Sequence, residues 1–170
     1  MDDKVLSIVE KLLDDFKIRR PPVPVDRIAK NLGILVCPLP AEDEISGAII
    51  RRDDRVVIAV NPAHHINRRR FTIAHELGHF MLHQEIGEHV DENFRIAWRN
   101  ADSSKAVNWM EIQANRFAAE LLMPGRFLER DLDALRRIEK RTVALLATKY
   151  VVSAEAMKIR LSQIGIWGPF

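Results

Sequence analysis

Apolar residues recur every three or four positions at the start of the chain: Val5, Ile8, Val9, Leu12, Leu13 and Phe16. That period predicts an amphipathic helix over residues 3–18. The prolines of RRPPVPV end it, because proline lacks an amide hydrogen and clashes with the preceding turn. A short helix, DRIAKNLG, follows, opened by Asp26 or its neighbours and ended by Gly33 in the left-handed conformation. The period then changes. ILVCPLP, SGAIIRR and RVVIAVN are β-rich runs, and Asp53-Asp54 between the last two predicts a hairpin, with Pro62 breaking the third run. The stretch FTIAHELGHFMLHQ is helical in pattern and apolar nearly all round, the mark of a buried helix.

From Gln84 to about Lys105 the chain is polar and irregular. Gly87, Asp91, Asn93 and Asp102-Ser103-Ser104 supply turn chemistry there, with Phe94, Ile96 and Trp98 as anchors to the body. NWMEIQANRFAAELLMP predicts a second strong helix closed by Pro124, and a third starts near Gly125 and enters a basic stretch. TVALLATKYVVSAEAMKIRLSQIG reads as helix, short turn, helix, with Ser153 capping the second helix and Gly165 ending it. The class is therefore α+β: a small antiparallel or mixed sheet packed on two strong helices, then C-terminal helices. The break near Gly125 divides residues 1–124 from a helical segment, 125–170.

Composition narrows the function classes. The chain has 170 residues, enough for one domain with a sizeable core. Its 26 basic residues nearly balance 24 acidic ones, and a net charge of +2 is no footprint for non-specific DNA binding. Local basic runs, Arg68–Arg70 and Arg136–Arg141, stand out against that balance. Cys37 is the only cysteine, so an intrachain disulfide and a thiolate metal cluster are both excluded. The acidic, helical N-terminus is unlike a signal peptide, and no apolar run reaches the ~18 residues of a membrane span. The expectation is a soluble cytosolic protein that makes no membrane contact.

Chemistry concentrates in HELGH. Residues four apart share a helix face, so His75 and His79 can place ring nitrogens on one Zn²⁺. Glu76 stands beside such a metal rather than on it, placed to take a proton from water. Two histidines in a buried helix can also be hydrogen-bonded core residues, but a full HExxH in such a helix favours the metal. A catalytic zinc needs a third protein ligand and an open position. Glu111, 32 residues beyond His79, begins a face that Ala114, Ala118, Leu121 and Leu122 continue inward. On spacing alone it is matched by the reading of an ordinary helix-start carboxylate. Glu120, Glu85, Glu88, His83, His89 and Asp91 are rivals, although three histidines from one straight helix would have to span two turns.

RRRFTIAHELGHFMLH followed by EIQANRFAAELLMP resembles the ImmA/IrrE family of zinc metallopeptidases, and the flanks PPVPVDRIAKNLGILV and SGAIIRRDDRVVIAVN resemble that family's entry into its catalytic domain. The likeness runs from about Val23 to Pro124. It implies a zincin-like domain in which one Zn²⁺ is held by His75, His79 and Glu111 with Glu76 as general base. It also implies a substrate, a helix-turn-helix repressor cleaved to relieve repression of phage, mobile-element or stress genes. Substrate is expected to pair with a sheet edge at Ser46, Gly47 and Ala48. His83, Tyr150 and Asn115 are candidates for an oxyanion donor or a supporting partner. The last two helices resemble the helix-turn-helix-like segment of several relatives, with Lys158 and Arg160 as DNA contacts or, more simply, as part of a helix pair that completes the core. Since the chain ends at Phe170, no C-terminal sensor domain is expected. The alternatives are a non-proteolytic antirepressor that binds the repressor and a zinc-containing DNA-binding regulator.

Overall fold

A computed structural model describes residues 2–40, 45–52, 55–83, 88–91, 107–133 and 140–166. Helices α1 (Asp2–Asp15) and α2 (Val25–Asn31) lead into strands β1 (Ile34–Pro38), β2 (Gly47–Arg52) and β3 (Arg55–Val60). Helix α3 (Ile66–Leu82) carries the histidine motif, and β4 (Glu88–Asp91) follows it. Four helices complete the chain: α4 (Val107–Leu122), α5 (Gly125–Asp133), α6 (Lys140–Tyr150) and α7 (Ala154–Gln163).

The periodic positions of α1 do what their spacing requires: Val5, Val9, Leu12 and Leu13 are buried. Gly33 ends α2 at φ +77, and Gly165 follows α7 at φ +74, both in the left-handed region where glycine carries no Cβ penalty. Ser153 caps α7, its hydroxyl accepting from the Ala156 amide at 3.0 Å.

The sheet is mixed, in the order β1-β3-β2-β4. β1 runs parallel to β3, while β2 is antiparallel to both β3 and β4. Arg52 opposes Arg55 at the closed end of the β2–β3 hairpin, whose turn residues Asp53 and Asp54 lie outside the described residues. One strand departs from the sequence reading. Glu88–Asp91 lies in the segment read as irregular, yet pairs with Gly47–Ile50. Four polar or mixed residues have no strand signature of their own, so pairing with β2 decides their conformation. Glu85 and the anchors Phe94, Ile96 and Trp98 lie outside the described residues, as do Arg136 and Arg137 of the basic run.

Helix α3 lies between the sheet and α4. Its contact with α4 depends on small residues: a Cβ on Gly78 would lie 3.0 Å from the Ala114 Cα and 3.1 Å from the Ala114 carbonyl oxygen. Ala114 and Ala118 are fully buried beside it. A single apolar core joins α1, the sheet, α3 and α4 to Leu128, Val143, Leu146, Met157 and Leu161 of the last three helices. Arg160 of α7 ties this end together from within. It donates to both carboxylate oxygens of Glu120 at 2.8 and 2.5 Å and to the Met123 carbonyl at 3.1 Å. Among the described residues no helix is long and apolar enough to cross a membrane.

Candidate metal centre

The middle of α3 is buried without interruption from Arg70 to His79. Its N-terminus is fixed by His65, whose Nδ1 accepts from the Asn67 amide at 3.2 Å. Its C-terminal turn is fixed by Arg51 of β2, which donates to the carbonyls of His79 (3.0 Å) and His83 (2.8 Å). The His79 carbonyl also accepts from the His83 amide at 3.0 Å, so the guanidinium adds a second donor to the last turn and acts as a C-terminal cap. The Arg51 guanidinium also lies 5.6 Å over the Phe80 ring.

Spacing of four along α3 and insertion of α4 alongside bring three donors together. The Nε2 atoms of His75 and His79 are 3.0 Å apart. Glu111 of α4 places Oε2 3.2 Å from His75 Nε2 and Oε1 3.1 Å from His79 Nε2. A tetrahedral ion with bonds of ~2.0–2.1 Å sets its ligands about 3.3 Å apart, so this triangle has the dimensions of three zinc ligands. Two imidazoles and one carboxylate are also a donor set that zinc accepts, and they leave a fourth position for water or substrate. Among the described residues, His75, His79 and Glu111 form the metal-binding group. The histidines are buried, and the Glu111 side chain keeps 18% of its exposure, which leaves the site open on the α4 side.

Spacing alone could not choose among the rival third ligands; packing sets two of them aside. Glu120 is buried and bound bidentately by Arg160. His83 ends α3 and turns its Nε2 toward the Met110 carbonyl at 3.3 Å. The side chains of Glu88, His89 and Asp91 lie outside the described residues.

Asn115, one helical turn beyond Glu111, meets His75 from behind. His75 Nδ1 is 2.9 Å from Asn115 Oδ1, and both residues are buried. With the amide oxygen accepting, Nδ1 carries the proton and Nε2 presents its lone pair to the metal side, which fixes the tautomer a ligand needs.

Glu76 is fully buried. It shares the α3 face of Thr72, four residues earlier, and Thr72 lies against β2 where a Cβ on Gly47 would be 2.5 Å from its Cγ2. The Glu76 carboxylate acts electrostatically on Arg51, partly opposing the burial that holds the guanidinium below its ordinary pKa. Arg51 is thus a residue of the site that sequence reasoning missed. An arginine near a hairpin carries no local signal that it will reach a helix 28 residues away.

Two expectations are corrected. Ser46, Gly47 and Ala48 do not form a sheet edge: β2 is paired on both sides, and Ser46 and Ala48 are 0% and 2% exposed. The Ser46 hydroxyl accepts from Arg68, at 2.7 Å from Nη2, so it organises the entry to α3. Tyr150 is no oxyanion donor, because its hydroxyl donates to Asp131 at 2.9 Å in the α5–α6 contact. Of the two readings of Arg160, its burial on Glu120 suits the one in which the last helix pair completes the core. The basic run at α3 is structural in the same sense, since Arg70 donates to the carbonyls of Val23 (2.9 Å) and Val151 (3.3 Å).

Comparison with known proteins agrees with this geometry. Residues 29–162 match the peptidase M78 family, described as the IrrE N-terminal-like domain. The chain belongs to the IrrE/ImmA-like metallopeptidase family. It is 29% identical over 113 residues to the metallopeptidase ImmA of Bacillus subtilis (strain 168), a match covering 66% of this chain and 59% of that protein. Its fold is similar to that of a Mycobacterium tuberculosis transcriptional regulator, with a TM-score of 0.63 and 21% identity. That likeness covers 94% of this chain and 47% of the other. The chain thus spans less than two thirds of either protein. It carries the metallopeptidase-type cluster of His75, His79 and Glu111 that the family resemblance implies.

Proposed function

We propose that this protein is a zinc-dependent endopeptidase acting in the cytosol on a helix-turn-helix transcriptional repressor, so that cleavage relieves repression. The observation that carries the reading is the buried triangle of His75, His79 and Glu111 with the Glu76 carboxylate on the adjoining helix position. The likeness to a metallopeptidase, and in fold to a transcriptional regulator, supports a regulatory protein as substrate.

When bound, zinc supplies Lewis acidity, polarising the scissile carbonyl and making a nearby water acidic enough to attack at neutral pH. Glu76 takes a proton from that water and returns it to the leaving amine nitrogen. Asn115 keeps His75 in the ligating tautomer, and Arg51 holds the helix turn that carries His79. Because β4 is the outer strand beside β2, the extended substrate pairs along β4 rather than along SGAII. Residues 1–124 form the catalytic unit, and 125–170 complete its core instead of reading DNA.

The test is co-incubation with candidate repressors, with and without chelator, read by intact mass. Wild type is expected to cut at one site and to stop on chelation. Glu76→Gln is expected to keep its metal and lose cleavage, and His79→Ala to lose both. Cleavage by metal-replete Glu76→Gln would defeat the base assignment. Release of intact repressor from DNA by wild type and Glu76→Gln alike would replace the protease with a non-proteolytic antirepressor.

A further inference from the structure

The linker between α1 and α2 meets α5 and α6 around a cavity of about 640 Å³. Four cations line it: Arg19 and Arg20 from the linker, Arg130 from α5 and Lys149 from α6. Among the described residues one carboxylate, Asp131, shares the lining, and its oxygens are already engaged by Lys149 Nζ at 2.7 Å and the Tyr150 hydroxyl at 2.9 Å. Positive charge from three separate segments therefore exceeds negative charge at one hollow, in a chain whose total is only +2.

The cations are held in place. Lys17 adopts φ 55, and the Lys17 and Ile18 amides bond back to the Asp14 and Leu13 carbonyls at 3.0 and 2.7 Å, locking the turn that leaves α1. Ile18 and Val23 are buried on either side of the two arginines, which stay exposed. Arg19 is paired with Asp14. Arg130 donates to the Arg19 carbonyl at 3.1 Å, and its guanidinium stands 5.4 Å over the Phe127 ring. It also forms a long ion pair with Asp131, with Nε 4.0 Å from Oδ1. Arg130 is thus ordered by a carbonyl, a ring and one long ion pair, and Arg20 stands beside it in the same lining.

We propose that this cavity binds the phosphate groups of a small polyphosphorylated molecule of nucleotide size. Planar guanidinium forks match phosphate oxygens bidentately. Pro21 and Pro22 supply an apolar wall for a sugar or base beside the cations of this open hollow. Arg19 and Arg20 precede residue 29, where the family match begins, whereas Arg130, Asp131 and Lys149 lie within it. It is separate from the metal centre and independent of the protease reading.

Inorganic tripolyphosphate titrated into the full chain by calorimetry tests this. The expected result is saturable binding at one site in wild type and equally in His79→Ala, which removes the metal centre as its source. Arg20→Gln and Arg130→Gln, both at exposed positions and checked for folding by circular dichroism, are each expected to weaken it by about tenfold. A nucleoside triphosphate is expected to compete with the probe. Absence of saturable binding, loss of binding in His79→Ala, or unchanged affinity in both arginine variants would overturn the proposal. So would tighter binding of random duplex DNA than of tripolyphosphate, since the positive surface would then serve a nucleic acid.

Discussion

The Nδ1 atom of His75 lies 2.9 Å from the side-chain oxygen of Asn115, across the buried contact of α3 and α4. One helix supplies the ligand and the other fixes its tautomer. Asn115→Ala removes the acceptor and frees the ring to rotate. Loss of such a partner weakens metal binding by about 10–100-fold. Competition with a chromophoric chelator measures it, and an Asn115→Ala protein with wild-type zinc affinity would show that the contact does not set the tautomer.

Gly78 belongs to the same contact. Alanine there would gain about 1 kcal/mol of helix propensity. Its Cβ, however, would meet Ala114 backbone at 3.0 and 3.1 Å and Phe117 Cβ at 3.2 Å. Backbone cannot swing aside as a side-chain end can, so the helices must part. Gly78→Ala is expected to destabilise the fold by about 1–3 kcal/mol in urea unfolding. It is also expected to lower metal affinity, because Glu111 rides on the displaced helix. A more stable variant would mean that the approach is slacker than these distances.

The Glu120–Arg160 pair is buried on both sides, with side chains 8% and 6% exposed. Glu120→Ala strands the guanidinium and is expected to cost about 3–5 kcal/mol. Replacing both residues together, as Glu120→Leu with Arg160→Met, is expected to restore most of that loss. Equal damage in the single and double variants would show that the Arg160 bond to the Met123 carbonyl, and not the ion pair, holds α7 in place.

Tyr150 predicts an alkaline effect. Burial first, and then its hydrogen bond to the Asp131 carboxylate, raise its pKa above the ordinary value near 10. A group whose folded pKa is raised contributes stability that is fully present below the unfolded pKa. That contribution is lost as pH climbs from about 10 toward the folded value. Urea unfolding between pH 8 and pH 11 should therefore show a steeper decline for wild type than for Tyr150→Phe, which has no hydroxyl to ionise. Parallel declines would indicate that other groups control alkaline unfolding.

The parts legible in the sequence are those that local pattern encodes. Period-3.6 burial gives α1, α3 and α4, and Ser153, Gly33 and Gly165 act where their backbone chemistry says they must. His75 and His79 converge because four residues bring a helix back to the same face. Sheet composition was less legible. β4 has no alternating pattern, so β2 read as an edge while the structure makes it an interior strand.

Sequence alone therefore determined the helices and the two histidine donors, since both follow from the geometry of a single element. Tertiary structure decided Glu111 over Glu120, gave Asn115 and Arg51 their partners, and buried Arg160. Each of these contacts joins residues 28–40 positions apart. Local periodicity tells which face of a helix turns inward; only packing against a second element decides what that face meets there.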